Sequence, residues 1–223
     1  MHRTTLFLVL ALACAAPFAQ ETVRDIDKVN GRVVADAGKH YGNLDTVNGS
    51  IQLGNGARAG DVETVNGSIA AGNDVATADV STVNGSIRFG ERARIGGSVE
   101  TVNGSLFIGR GGDVRGGVST VNGGIGLVDT DVSGDVGTVN GDITVGAGSH
   151  VRGGIKVEQP GKTWLPRFGK PRVPRIVVGP NAVVDGPLVF EREVKLHVHA
   201  SARVGAVTGA TAQRYATPRA PRD

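Results

Sequence analysis

The sequence predicts an all-β protein: a single-stranded parallel β-helix, or solenoid, three-sided and wound in coils of about 18 residues. Three observations predict it. A four-residue phrase recurs, Lys28-Val29-Asn30-Gly31 and then Thr-Val-Asn-Gly from Thr46, Thr64, Thr82, Thr101, Thr120 and Thr138, at steps of 18, 18, 18, 19, 19 and 18 residues. Between phrases the apolar residues are spaced by two, the period of a strand with alternating faces. Large aromatics are scarce, with 6 Phe, 2 Tyr and 1 Trp against 35 Gly, which suits a narrow interior filled by Val, Ile, Leu and Ala. A helical repeat would need about twice the coil length and a rhythm of about 3.6 residues.

Residues 1–19 read as a secretory signal peptide. His2 and Arg3 give a basic start, residues 6–16 are an apolar run too short to span a bilayer, and small residues follow. The protein is therefore expected to be exported, to the periplasm, outer membrane or cell surface, without a transmembrane span. Cys14 is the sole cysteine, so no disulfide framework is expected. Cleavage after Ala15 or Ala19 and lipid anchoring at Cys14, which ends Ala11-Leu12-Ala13-Cys14, are both open.

Residues 20–158 form the main array. The Val of each phrase makes one column, Val29, Val47, Val65, Val83, Val102, Val121 and Val139. Four residues on runs Val33, Ile51, Ile69, Ile87, Leu106, Ile125 and Ile143, and two further on Ala35, Leu53, Ala71, Phe89, Ile108, Leu127 and Val145. Before each next phrase sits Leu44, Val62, Val80, Val99, Val118, Val136 and Ile155. Stacked about 4.8 Å apart, these columns are expected to become continuous ridges inside the tube. The corner pairs are Asn30-Gly31, Asn48-Gly49, Asn66-Gly67, Asn84-Gly85, Asn103-Gly104, Asn122-Gly123 and Asn140-Gly141. Gly is expected there for backbone angles that other residues resist, and Asn for local hydrogen bonding and a coil-to-coil amide ladder. The ladder's inward or outward direction is left open. The extra residues in the coils starting at Thr82 and Thr101 should sit at a corner, and a further step of 18 lands on Lys156-Val157.

Residues 159–175 break the pattern. Prolines, basic residues and the lone Trp164 predict a loop protruding from the solenoid. Lys162, Trp164, Arg167, Phe168, Lys170, Arg172 and Arg175 form the candidate interaction patch, for an anionic glycolipid or an envelope protein. Solenoid coils resume over 176–209, where Ile176, Ala182, Leu188 and Val194, and in parallel Val178, Val184, Phe190 and Leu196, recur at a step of 6. Residues 210–223 carry no periodicity and are expected to be a disordered tail.

Catalytic and cofactor motifs are absent from this reading. His197 and His199 share a strand face but lack a third metal ligand nearby in sequence, and are read as exposed strand residues. Aspartates such as Asp61, Asp79, Asp131 and Asp135 sit where corners need turn formers. Gly-Gly pairs do not follow the nonapeptide calcium pattern, and no nucleophile elbow, phosphate loop or His-Glu-x-x-His occurs. The six-residue rule of hexapeptide acyltransferases fits only the last third of the chain. Neither that chemistry nor the carboxylate clusters of pectinase-like solenoids is supported. The formal charge of +3, with both signs interspersed, gives no reason to expect a nucleic-acid partner.

Over residues 28–209, the Val-Asn-Gly-Ser-Ile coils, Gly-Pro-Asn-Ala-Val-Val-Asp-Gly and Val-Phe-Glu-Arg-Glu-Val resemble bactofilins, the polymer-forming bacterial cytoskeletal proteins, and related adhesin-like repeat domains. The resemblance implies a right-handed coil and a non-catalytic protein that joins end to end without nucleotide. Contacts would lie around Val29 and Val33 at one end and Val204 and Val207 at the other. Bactofilins act on the cytoplasmic side, so the signal peptide moves the implied role to the cell envelope, as a scaffold or as a surface-binding module.

Overall fold

A computed structural model of the chain describes residues 23–160 and 172–221. Every strand pairing is parallel, and the strands form three sheets of 10, 10 and 7 strands. Each turn of the chain contributes one strand to the first sheet and one to the second, giving ten coils. The first sheet holds the phrase, from Arg24–Asn30 through strands such as Val80–Asn84 and Val99–Asn103 to Val207–Thr208. The second runs from Val33–Ala35 to Ala212–Tyr215, and the third is built of two-residue strands from Ala76–Thr77 to Arg203–Val204.

The interior follows from alternation. In the coil of Leu106, the second sheet turns Leu106 and Ile108 inward, the third Val114, and the first Val118 and Thr120, each at most 3 % exposed. A further inward column at the second corner, between the second and third sheets, Ala57, Val75, Ala93, Gly112, Thr130, Ser149 and Ala182, is held to small side chains. At Gly112 a Cβ would stand 2.6 Å from Ile108 Cγ2.

The phrase valine is not inside. Val29, Val47, Val65, Val83, Val102 and Val121 are 65 to 38 % exposed, whereas Thr46, Thr64, Thr82, Thr101, Thr120 and Thr138 are 3 to 4 % exposed. Alternation from Leu44 or Val62 forces this parity, since Thr is two residues on and Val three. The buried hydroxyl is tolerated because it is satisfied: Thr64, Thr82, Thr101 and Thr120 Oγ1 donate to the Gly49, Gly67, Gly85 and Gly104 carbonyls of the preceding coil at 2.9 to 3.1 Å.

The phrase glycines also have a different cause from the one expected. Of them only Gly31 has positive φ, at 106°. At Gly49, Gly67, Gly85, Gly104, Gly123 and Gly141 a Cβ would lie 1.7 to 2.0 Å from the preceding glycine's carbonyl oxygen. Close approach of successive coils excludes a side chain there. The left-handed residues form a separate column at the second corner: Gly38, Gly56, Asp74, Arg92, Gly111, Asp129, Gly148 and Asn181.

Coil length varies at corners, as expected. Ile95 pairs with Thr77 but Val99 with Val80, so the extra residue of that coil lies in Gly96-Gly97-Ser98 at the third corner, between the third and first sheets. Thr138 pairs with Val157, so the step into the last phrase position is 19 and Val157, not Lys156, takes the buried Thr place. In the C-terminal coils the six-residue columns Ile176, Ala182, Leu188 and Val178, Val184, Phe190, Leu196 are buried. The tail is not wholly irregular: Ala212–Tyr215 pairs with Lys195–His199 as the last strand of the second sheet.

Candidate functional site

The corner asparagines point outward and make one continuous ladder. Asn48, Asn66, Asn84, Asn103, Asn122 and Asn140 each donate through Nδ2 to the Oδ1 of the preceding asparagine, beginning at Asn30, at 2.9 to 3.1 Å. All seven are exposed. The ladder has a direction, with amide oxygens aimed at later coils, so its last acceptor needs a donor. Arg192 supplies it: Nη1 donates to Asn140 Oδ1 at 2.7 Å and to the Val139 carbonyl at 3.1 Å, and Nη2 donates to the Arg172 carbonyl at 2.9 Å. Arg192 reaches over from a later coil because the intervening one carries Gln159-Pro160 where the phrase has Asn-Gly. The periodic phrase gives no hint of this cap. The loss of the phrase after Val157 is the one signal that another donor was needed.

The base of the 159–175 segment is tied on both sides. Gln159 N–H donates to Glu191 Oε2 at 3.2 Å, and Lys156 pairs with Glu158 at 2.8 Å and Glu191 at 3.5 Å, the Glu158 hydrogen bond holding the ammonium pKa up. On the returning side Arg172 pairs with Asp142, whose Oδ1 also accepts the Arg175 N–H at 2.9 Å. Arg175 opens the strand Arg175–Val178, is half-buried, and donates through Nη2 to the Pro221 carbonyl at 2.6 Å. Of the patch read from sequence, Arg172 and Arg175 thus serve as anchors. Lys162, Trp164, Arg167, Phe168 and Lys170 lie outside the described residues, as do the expected signal peptide and Cys14.

The third corner carries a second ladder. Side-chain oxygens of Asp25, Asn43, Asp61 and Asp79 accept the backbone N–H of the residue one coil on, at 2.6 to 3.1 Å, and Asp135 does the same for Gly154 at 2.7 Å. These side chains join one coil to the next. Asp131 instead lies 4.0 Å from His150 Nδ1, while Asp185 meets His150 Nε2 at 2.6 Å.

The two strand histidines are not brought onto a shared ligand position. His197 is 2 % exposed, a correction to the exposed reading. Its outward column is covered where the tail returns: Tyr215 Oη donates to the Val178 carbonyl at 3.3 Å, and Val177 beside it is 6 % exposed. His199 stays half-buried, in contact with Ser201 Oγ at 2.8 Å and edge-on to Tyr215 at 5.0 Å. Among the described residues no three His, Cys, Asp or Glu are placed to share a metal ion, and no helix is long and apolar enough to cross a membrane.

At the ends, Val33 is fully buried, and Val29 belongs to the side-wall column. Val204 and Val207 are half-buried against the core, with Ala210 and Ala212. Comparison of the chain with protein-family models, with curated proteins and with solved structures returns no match.

Proposed function

We propose that this protein is a non-catalytic scaffold of the bacterial cell envelope, exported by its N-terminal segment and able to join copies of itself end to end. One observation carries the reading: polar side chains repeated along the corners are consumed in coil-to-coil hydrogen bonds that hold the tube together. The Asn ladder, the Thr–Gly bonds and the Asp-to-backbone bonds between coils account for the periodic Asn, Thr and Asp without a catalytic role. The end coils support self-association. Val207–Thr208 and Ala212–Tyr215 close the strand order of two sheets at one end, and Arg24–Asn30 and Val33–Ala35 open it at the other. A second copy could continue the parallel pairing across such edges.

Sedimentation velocity of the secreted chain over a wide range of concentration and salt tests this reading. Growing oligomers are expected, reduced by Val207→Lys combined with Ala212→Lys at the C-terminal edge. Unchanged assembly in that variant would remove the end coils from the account.

A further inference from the structure

The repeated phrase inverts hydropathy: its Thr faces the interior and its Val faces outward. The inward Thr is explained by its bond to the glycine carbonyl one coil back. The outward Val is not required by the fold, because Thr would serve as well on an exposed strand. Other outward columns vary freely in the same coils. Two residues before the Val stand Asp27, Asp45, Glu63, Ser81, Glu100, Ser119 and Gly137. On the second sheet stand Val34, Gln52, Ala70, Arg88, Phe107, Gly126 and Thr144. Only the phrase position holds one apolar residue in every coil from Val29 to Val139.

We infer that the outer face of the first sheet is a lateral docking surface for a second copy of this chain, the two Val ridges packing against each other along their length. The idea extends the self-association reading from the ends of the tube to its side. A ridge with a repeat of about 4.8 Å finds its match along its length only in another ridge of the same repeat. The area is sufficient. Strands about 17 Å wide, over seven coils spanning about 34 Å, offer about 570 Å² per copy, and the pair exceeds the roughly 1,000 Å² that a specific interface needs.

Charge selects the orientation. The Val ridge runs between the carboxylates Asp45, Glu63 and Glu100 on one side and the Asn ladder on the other. A two-fold axis parallel to the solenoid axis lays each copy's carboxylates over its partner's amides. A two-fold axis across the tube opposes carboxylate to carboxylate. The ladder uses one N–H of each amide, so the second can donate to a facing carboxylate. The two copies therefore lie side by side, pointing the same way.

Single cysteines in a Cys14→Ser background test this arrangement. Val83→Cys should cross-link to itself under mild oxidation, while Ala70→Cys and Ala76→Cys on the other two faces should not. Val65→Lys with Val83→Lys, both on exposed positions, should weaken lateral association roughly tenfold or more with an unchanged circular dichroism spectrum. Equal cross-linking from all three faces, or lysine variants that associate like the parent, would overturn the inference. Combining those lysines with the edge variant Val207→Lys, Ala212→Lys separates the two contacts. Filaments one solenoid wide that persist in the ridge variant retain the end-to-end reading. Side-by-side dimers that persist in the edge variant retain this one.

Discussion

Replacing Gly85 by alanine puts a Cβ 1.9 Å from the Gly67 carbonyl oxygen and 2.5 Å from its carbon. Real Cβ atoms essentially never approach within 3.0 Å, so the two coils must part by about 1.1 Å at a backbone contact that no side-chain rotation relieves. The displaced segment carries Gly85 N–H to the Asn103 carbonyl, Gly67 N–H to the Asn84 carbonyl, and the Thr82 and Thr101 hydroxyl bonds to Gly67 and Gly85. At about 1 kcal/mol net for each bond, losing three or four costs about 3–4 kcal/mol. Two controls isolate the cause. Gly137→Ala meets nothing nearer than 3.8 Å and should cost little. Gly56→Ala meets only ordinary contacts at 3.8 and 3.9 Å but has φ of 68°, and should cost about 1–2 kcal/mol from the left-handed backbone alone. Urea unfolding followed by circular dichroism ranks the three. Equal effects at Gly85 and Gly137 would refute the close-approach argument.

Two further predictions follow from the same geometry. Among the described residues, Thr138 Oγ1 is buried with no hydrogen-bond partner, whereas Thr82 Oγ1 is satisfied at 2.9 Å. Thr138→Val should therefore stabilise the chain, and Thr82→Val destabilise it, each by about 1 kcal/mol in urea titrations, and a common sign would count against the assignment. Burial first, then the neighbouring Asp27, Asp61 and Asp25 carboxylates, raises the Asp45 pKa above its usual 3.8. A raised carboxyl pKa means the folded chain holds the proton more tightly, so its contribution is full below 3.8 and is lost as pH rises through the folded value. Asp45→Asn should raise Tm at neutral pH and leave it unchanged well below pH 3.8; a constant difference across pH would contradict this.

The coil length, the parallel stacking and most interior columns were legible because an 18-residue recurrence with period-two alternation admits few other solutions. Leu44, Ile51 and Leu53 fell where that pattern put them. The phrase itself was misread at Val because hydropathy was given precedence over parity. Counting from Leu44 to Thr46 would have turned Val47 outward. The reason for Gly85 was equally hidden, since sequence marks a missing side chain without saying whether an angle or a neighbour forbids one. The left-handed column leaves no mark in the sequence because Asp74, Arg92 and Asn181 share it with glycines, so residue identity varies where backbone shape does not. Arg192 and Asp142 act across 52 and 30 residues, beyond the reach of any local pattern. The tail strand Ala212–Tyr215 has no periodicity of its own and takes its register from Lys195–His199.

The central claim is that ten stacked coils serve as a unit that assembles. Electron microscopy of the secreted chain tests it most directly. Ten coils at about 4.8 Å predict assemblies with an axial repeat near 48 Å. Strictly monodisperse single particles at every concentration and salt would contradict it.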